Sequence, residues 1–216
     1  MIVGDSLYLQ QLELGPMQNF VYLIGCPKVR QVLIVDPGWD VEAICNALQR
    51  DGMQLSGILL THHHFDHVGQ VPELLRRFDV PVYVQRTELS WLPPFGNAVK
   101  PLSAGDTIDV GGVTVECLHT PGHTPGSQCF YVRNRLVAGD TLFIGGCGRC
   151  DLPGGDPEAM YRSLTTMLAR VDDQTVLYPG HNYAETPTST IGQERQANPY
   201  LQCSTLGEFL RFMGVS

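Results

Sequence analysis

Hydrophobic positions along this chain switch repeatedly between two spacings. Short apolar or alternating runs read as strands, and apolar positions recurring every three or four residues read as helices. Leu7–Leu14 and Phe20–Ile24 predict strands around a Gly15-Pro16 turn, and Gln31–Val35 predicts a third, ending at Asp36-Pro37-Gly38. Asp40 can cap a helix over Val41–Arg50, whose apolar residues Val41, Ile44, Cys45 and Leu48 share one face. Ile58–Leu60 predicts a buried strand running directly into Thr61-His62-His63-His64. A helix over Gly69–Arg77 and a strand over Val82–Val84 follow.

The second half repeats the pattern. Thr107–Val110 and Val113–Leu118 predict strands joined by Gly111-Gly112, a hairpin signal. Ser127–Val132 and Arg135–Ala138 predict two more, the second closing on Gly139-Asp140. Pro157–Arg170 predicts a helix with proline in its first turn. Thr175–Tyr178 predicts a strand ending at Pro179-Gly180-His181, and Thr190–Ala197 and Thr205–Met213 predict short closing helices. Each half holds one strand ending in aspartate (Asp36, Asp140) and one leading to histidine (His62, His123), which suggests two similar layers facing each other.

Composition narrows the class. The 216 residues suffice for one α/β domain, with 43% hydrophobic and 17% charged residues. The net charge of −8 and the lack of a basic stripe argue against nucleic acid as a partner. Met1–Gln10 has no positive residue before an apolar stretch and does not read as a secretory leader. No apolar run is long enough to span a bilayer, so no membrane partner is expected and the chain reads as cytoplasmic. Seven cysteines at irregular spacing read as reduced thiols. Cys147-Gly-Arg-Cys150 is the one C-x-x-C, and it has no second pair to complete a zinc knuckle.

The chemistry lies in the histidines. Four of the seven occupy His62-His63-His64-Phe65-Asp66-His67, an H-x-H-x-D-H pattern placed at a strand end, where α/β sheets put their sites. His123 lies in a Gly/Pro-rich turn, His181 directly follows a strand, and Asp140 ends another. Imidazoles with carboxylates suit zinc, and also iron or manganese. His63 and His119 fall outside ligand spacing and read as ordinary structural histidines, while Asp36 reads as a turn carboxylate or an orienter of ligating histidines.

These motifs, with Thr120-Pro-Gly-His-Thr-Pro-Gly126, Gly139-Asp140-Thr141 and Pro179-Gly180-His181 in order, resemble the metallo-β-lactamase superfamily. Gly139-Asp-Thr-Leu-Phe143 followed by Gly146-Cys-Gly-Arg149 is most similar to its glyoxalase II group. The resemblance implies an αββα sandwich forming one domain over 1–216, with 182–216 a short helical closure. It implies one metal on His62, His64 and His123, a second on Asp66, His67 and His181, and Asp140 bridging them, with Asp66 and Asp140 serving catalysis. It further implies two zinc ions, an activated water between them, and a small-molecule or carrier-bound thioester as substrate: acyl-glutathione, acyl-CoA or a carrier-bound acyl chain. Arg149 and Tyr183 match positions near the family's thiol-substrate site; otherwise they are a loop charge and a packed aromatic. The alternative is a persulfide dioxygenase with one Fe2+ on His62, His123 and Asp140, an arrangement suited to oxygen chemistry.

Overall fold

The structure is a computed structural model describing residues 7–215. Met1–Ser6, which include most of the segment assessed above for a leader, and Ser216 lie outside the described residues. Strands β1 (Tyr8–Leu14), β2 (Asn19–Cys26) and β3 (Gln31–Val35) form an antiparallel meander. Helix α1 (Val41–Asp51) then crosses over to β4 (Gln54–Leu59), parallel to β3. A one-turn helix α2 (Phe65–Val68) and helix α3 (Val71–Arg77) lead to β5 (Val82–Gln85) and β6 (Val99–Leu102), both parallel additions to this six-stranded sheet.

The second sheet comprises β7 (Thr107–Val110), β8 (Val113–His119), β9 (Gln128–Val132) and β10 (Arg135–Gly139), which are consecutively antiparallel. A small hairpin, β11 (Leu142–Phe143) and β12 (Gly146–Cys147), follows, then helix α4 (Pro157–Arg162). β13 (Val176–Pro179) joins parallel to β10, and β14 (Ser189–Thr190) extends the sheet. Helices α5 (Ile191–Ala197) and α6 (Leu206–Phe212) end the fold.

Strand alternation sorts side chains into three cores. In β2 every residue is buried. Val21 and Leu23 face α1 and α3, whereas Phe20, Tyr22 and Ile24 face the other sheet. In the second sheet Phe130, Val132 and Val137 face inward, whereas Cys129, Leu136 and Ala138 meet Met160, Leu164 and Phe209 of the outer helices. A period of two with both faces apolar is what a strand between two layers requires. The result is the expected αββα sandwich.

The same topology gathers the strand ends. β8, β10 and β13 run in one direction because β9 separates β8 from β10 and β13 is parallel to β10. Their C-terminal ends meet those of β3 and β4 at one edge, and that edge is stitched across the sandwich. Phe20 N donates to Gly180 O at 2.8 Å, Gln128 N to Thr61 O at 3.0 Å, and Gln128 Nε2 to Leu60 O at 2.8 Å. Glycine permits the closest approaches. Gly139 has φ +48°, and a Cβ there would lie 2.4 Å from Thr61 Oγ1; at Gly180 one would lie 2.3 Å from Asp140 Oδ1.

Two predicted helices differ in form. The helix expected over 157–170 is α-helical only to Arg162, then widens into a π turn over Ser163–Met167 and tightens over Leu168–Arg170. Thr165 Oγ1 donates to Tyr161 O, so a hydroxyl competes within the helical ladder, while Ser163 Oγ donates out of the helix to Pro121 O. The helix expected from Gly69 starts at Val71, since Gln70 N is taken by Pro37 O at 2.9 Å. Asp40 caps α1 through Ala43 N as predicted.

Gly139→Ala should cost about 2–4 kcal/mol, from left-handed strain plus the clash with Thr61. Gly52→Ala, also at positive φ but with open space around it, should cost only about 1–2 kcal/mol. Urea denaturation of both variants checks the ordering; equal losses would refute the close-packing argument.

Candidate metal centre

Seven side chains converge at the stitched edge. His62 and His64 come from the loop after β4, Asp66 and His67 from α2, His123 from the loop after β8, Asp140 from the end of β10 and His181 from the end of β13. Donor atoms of His62, His64 and His123 all lie within 4.8 Å of one another, and so do those of Asp66, His67 and His181. Asp140 touches both groups. Its Oδ2 is 3.5 Å from His123 Nε2 and 3.4 Å from His181 Nε2, and its Oδ1 is 3.4 Å from His67 Nε2.

The outward nitrogens explain how the inward ones are aimed. His123 Nδ1 donates to Arg149 O at 2.7 Å and His181 Nδ1 to Met17 O at 2.9 Å. His67 Nδ1 donates to Asp36 Oδ2 at 3.0 Å. Thr61 Oγ1 spends its proton on Asp36 Oδ2, so it accepts from His62 Nδ1 at 2.9 Å. With Nδ1–H committed outward in all four rings, each Nε2 presents a lone pair to the cluster. Asp36 is therefore the orienting carboxylate, itself held by Thr61 N at 2.7 Å.

The cluster fits a cation on three counts. His62 Nε2 and Asp140 Oδ1 are buried with no hydrogen-bond partner, which buried polar atoms rarely tolerate. Ring nitrogens face each other, His64 Nδ1 and His123 Nε2 at 2.9 Å and His67 Nε2 and His181 Nε2 at 3.2 Å. Nitrogens sharing one zinc at about 2.0–2.1 Å would be of order 3.3 Å apart. Thirdly, the local field is divided. Burial, reinforced by neighbouring imidazoles, pushes His62 well below its ordinary pKa and His64 down to about 4. Burial also opposes charge on His67 and His181, yet nearby carboxylates together overcome it, Asp140 with Asp36 and Asp66 at His67 and Asp140 at His181, so both are raised. Burial would raise Asp140, but the His67, His181 and His123 imidazoles together hold it down at about 2, and His67, Asn19 and His181 likewise keep Asp66 low.

The remaining expected residues lie at the rim. The Arg149 guanidinium makes two 2.6 Å bonds to Asp151, and both side chains are largely exposed. Tyr183 is exposed and lies flat on His181, with ring centroids 4.7 Å apart and 11° between planes. His119 Nε2 bonds Pro125 O at 3.0 Å, closing the His123 loop, a structural role as expected. Burial pushes Cys147 well up and Cys150 to about 12, so neither favours the thiolate.

Sequence reasoning missed Asn19. Its Nδ2 donates to Asp66 Oδ2 at 2.9 Å and to Asp66 O at 3.1 Å, and its Oδ1 accepts from Trp39 Nε1 at 2.8 Å. The available signal was a polar residue opening an otherwise apolar strand. The carbonyls of Met17 and Arg149 left no signal, because any residue supplies one.

The family model described as the metallo-beta-lactamase superfamily matches residues 14–181. PksB of Bacillus subtilis (strain 168), a probable polyketide biosynthesis zinc-dependent hydrolase, is 32% identical over 194 residues, 90% of this chain and 86% of that one. The hydroxyacylglutathione hydrolase of Dechloromonas aromatica (strain RCB) is 39% identical over 167 residues, 77% of this chain and 59% of that one. The crystal structure of ETHE1 from Myxococcus xanthus has a TM-score of 0.85 at 30% identity, over 96% of this chain and 90% of that one.

Asn19→Ala should weaken metal binding at the Asp66 side of the cluster about 10- to 100-fold, as removal of an outer orienting partner does. Competition with a chromophoric chelator measures it; unchanged affinity would make Asn19 a packing residue only.

Proposed function

Since the chain belongs to the metallo-β-lactamase superfamily, whose members bind metal ions, we propose that it is a binuclear zinc hydrolase of thioesters. The hydroxyacylglutathione hydrolase relatives and the ETHE1 neighbour fit its glyoxalase II-like group. His62, His64 and His123 would hold one ion, Asp66, His67 and His181 the other, with Asp140 shared. The observation that carries this reading is Asp140, whose two oxygens reach both donor triads. A one-iron centre on His62, His123 and Asp140 would leave Asp66, His67 and His181 convergent without an occupant.

Two such ions supply, when bound, a water acidic enough to be nucleophilic near neutral pH and a pole for a carbonyl oxygen. Asp66, kept ionised by its imidazole neighbours and steadied by Asn19, would accept a hydrogen bond from such a water and orient it. Among the described residues no strong general acid stands beside the donor residues, which suits a leaving group needing little protonation. A thiolate, with a free pKa of about 8.5, is such a group. The exposed face of Tyr183, with Phe143 at 5.6 Å from it, offers an apolar wall for the acyl or thiol arm. Arg149 stands on the loop after β12, and its exposed pair with Asp151 is weak enough to exchange for a substrate carboxylate or phosphate. Among the described residues no helix is long and apolar enough to cross a membrane. Cys45, Cys117, Cys129, Cys147, Cys150 and Cys203 keep free thiols, which accords with a reducing cytoplasm.

The zinc-loaded protein should hydrolyse acyl-thioesters, followed by thiol release, without consuming oxygen in a parallel electrode assay. Oxygen uptake with a persulfide and inert thioesters would reverse the assignment. Asp66→Ala should lower kcat about 100-fold or more while the melting temperature of the metal-free protein stays near wild type; near-normal turnover would remove Asp66 from the mechanism. Arg149→Ala should raise KM more than it lowers kcat, the signature of lost ground-state binding; unchanged kinetics would leave it a surface charge.

A further inference from the structure

A buried carboxylate is costly unless every oxygen is well bonded. Glu88 is fully buried, lies outside the donor cluster, and takes no part in the hydrolysis above. It sits on the tight turn Arg86–Glu88 after β5, which carries none of the seven donors. Its side chain enters the gap between two loops that do. Oε2 accepts from His63 Nδ1 at 2.5 Å, and His63 stands between His62 and His64. Oε1 accepts from Gly126 N at 2.6 Å and Thr124 Oγ1 at 2.8 Å, and Thr124 directly follows His123. Contact is so close that a Cβ on Gly126 would lie 2.5 Å from Glu88 Cγ. The presenting turn is itself capped, Thr87 N donating to Gln85 Oε1 at 2.5 Å. The His63 ring is held by Trp91, stacked at 5.1 Å with 20° between planes.

We propose that Glu88 is a positioning residue for the three-histidine half of the centre: one buried carboxylate clasps the loop of His62 and His64 to the loop of His123. The proposal rests on the reading that these histidines hold an ion. It also makes His63 part of the device. The other half is aimed by different groups, namely Asn19 on Asp66, Asp36 on His67 and the Met17 carbonyl on His181. Loss of the clasp should therefore be felt on one side only, which a general loss of structure would not reproduce.

Zinc alone is the probe, with affinity read by competition against a chromophoric chelator in two backgrounds. Asp66→Ala removes a donor from one half, and His64→Ala removes one from the other. Adding Glu88→Gln to Asp66→Ala should weaken the remaining zinc about 10- to 100-fold. Added to His64→Ala, it should change the remaining zinc by no more than about twofold, the scatter expected for independent sites. Equal weakening in both backgrounds, or none in either, overturns the proposal. If Glu88→Gln does not fold, His63→Phe carries the same test, because it keeps a ring on Trp91 and cuts only the Nδ1 bond. It should weaken zinc about three- to tenfold in the Asp66→Ala background alone; any other pattern overturns the clasp. If the underlying reading of the donors is at fault, the failure looks different: neither His64→Ala nor Asp66→Ala then alters zinc uptake relative to wild type, and both inferences fall together.

Discussion

Five imidazoles and two carboxylates share one small, largely dehydrated space, and their lone pairs point at one another. Desolvated donors of this kind repel unless positive charge lies between them. The carboxylates of Asp140 and, at His67, of Asp36 and Asp66 favour positive charge on His67 and His181 against the opposing effect of burial. Protons do not serve His62, whose Nε2 is buried and unbonded and whose protonation is suppressed by burial and by the neighbouring rings. A metal cation meets both demands, and the rest of the fold can be understood as the means of holding these donors in place until one arrives.

The scaffold does so by rigid parts. The donors stand on the loops that follow strand ends, or on the short α2 in the case of Asp66 and His67, and parallel relations within each sheet bring those ends to one edge. Hydrogen bonds between Phe20 and Gly180 and between Gln128 and Thr61 tie the two sheets there. Glycines at 139 and 180 let the chains come within contact of Thr61 and Asp140. Around that frame, a layer of acceptors takes the outward imidazole N–H groups, so ring orientation is set before any ligand binds.

What could be read from the chain and what could not divide along physical lines. The seven converging side chains could be singled out because H-x-H-x-D-H is a local motif and His123, Asp140 and His181 follow strand ends. The strands were legible because burial on one face leaves a period of two and burial on both faces leaves a short continuous apolar run. The one-turn α2 was not, since four residues are too few to show a helical period, and β6 (Val99–Leu102) was hidden by Lys100 and Pro101. The π turn over Ser163–Met167 coincides with a Ser163 hydroxyl bond to the distant Pro121 carbonyl, which no local propensity encodes. The supporting residues were least legible. Asn19 and Glu88 act on donors more than twenty residues away in sequence, through pairings that only the folded chain creates. Arg149 was singled out for its guanidinium, yet in the fold it is the Arg149 carbonyl that bonds a donor, His123.

Two donor triads joined by Asp140 should make two metal positions, and counting ions tests this most directly. Metal-free protein titrated with zinc, then freed of excess and analysed for elemental content per chain, should retain close to two equivalents. Saturation at one equivalent, unchanged by further supplementation, would contradict the binuclear account.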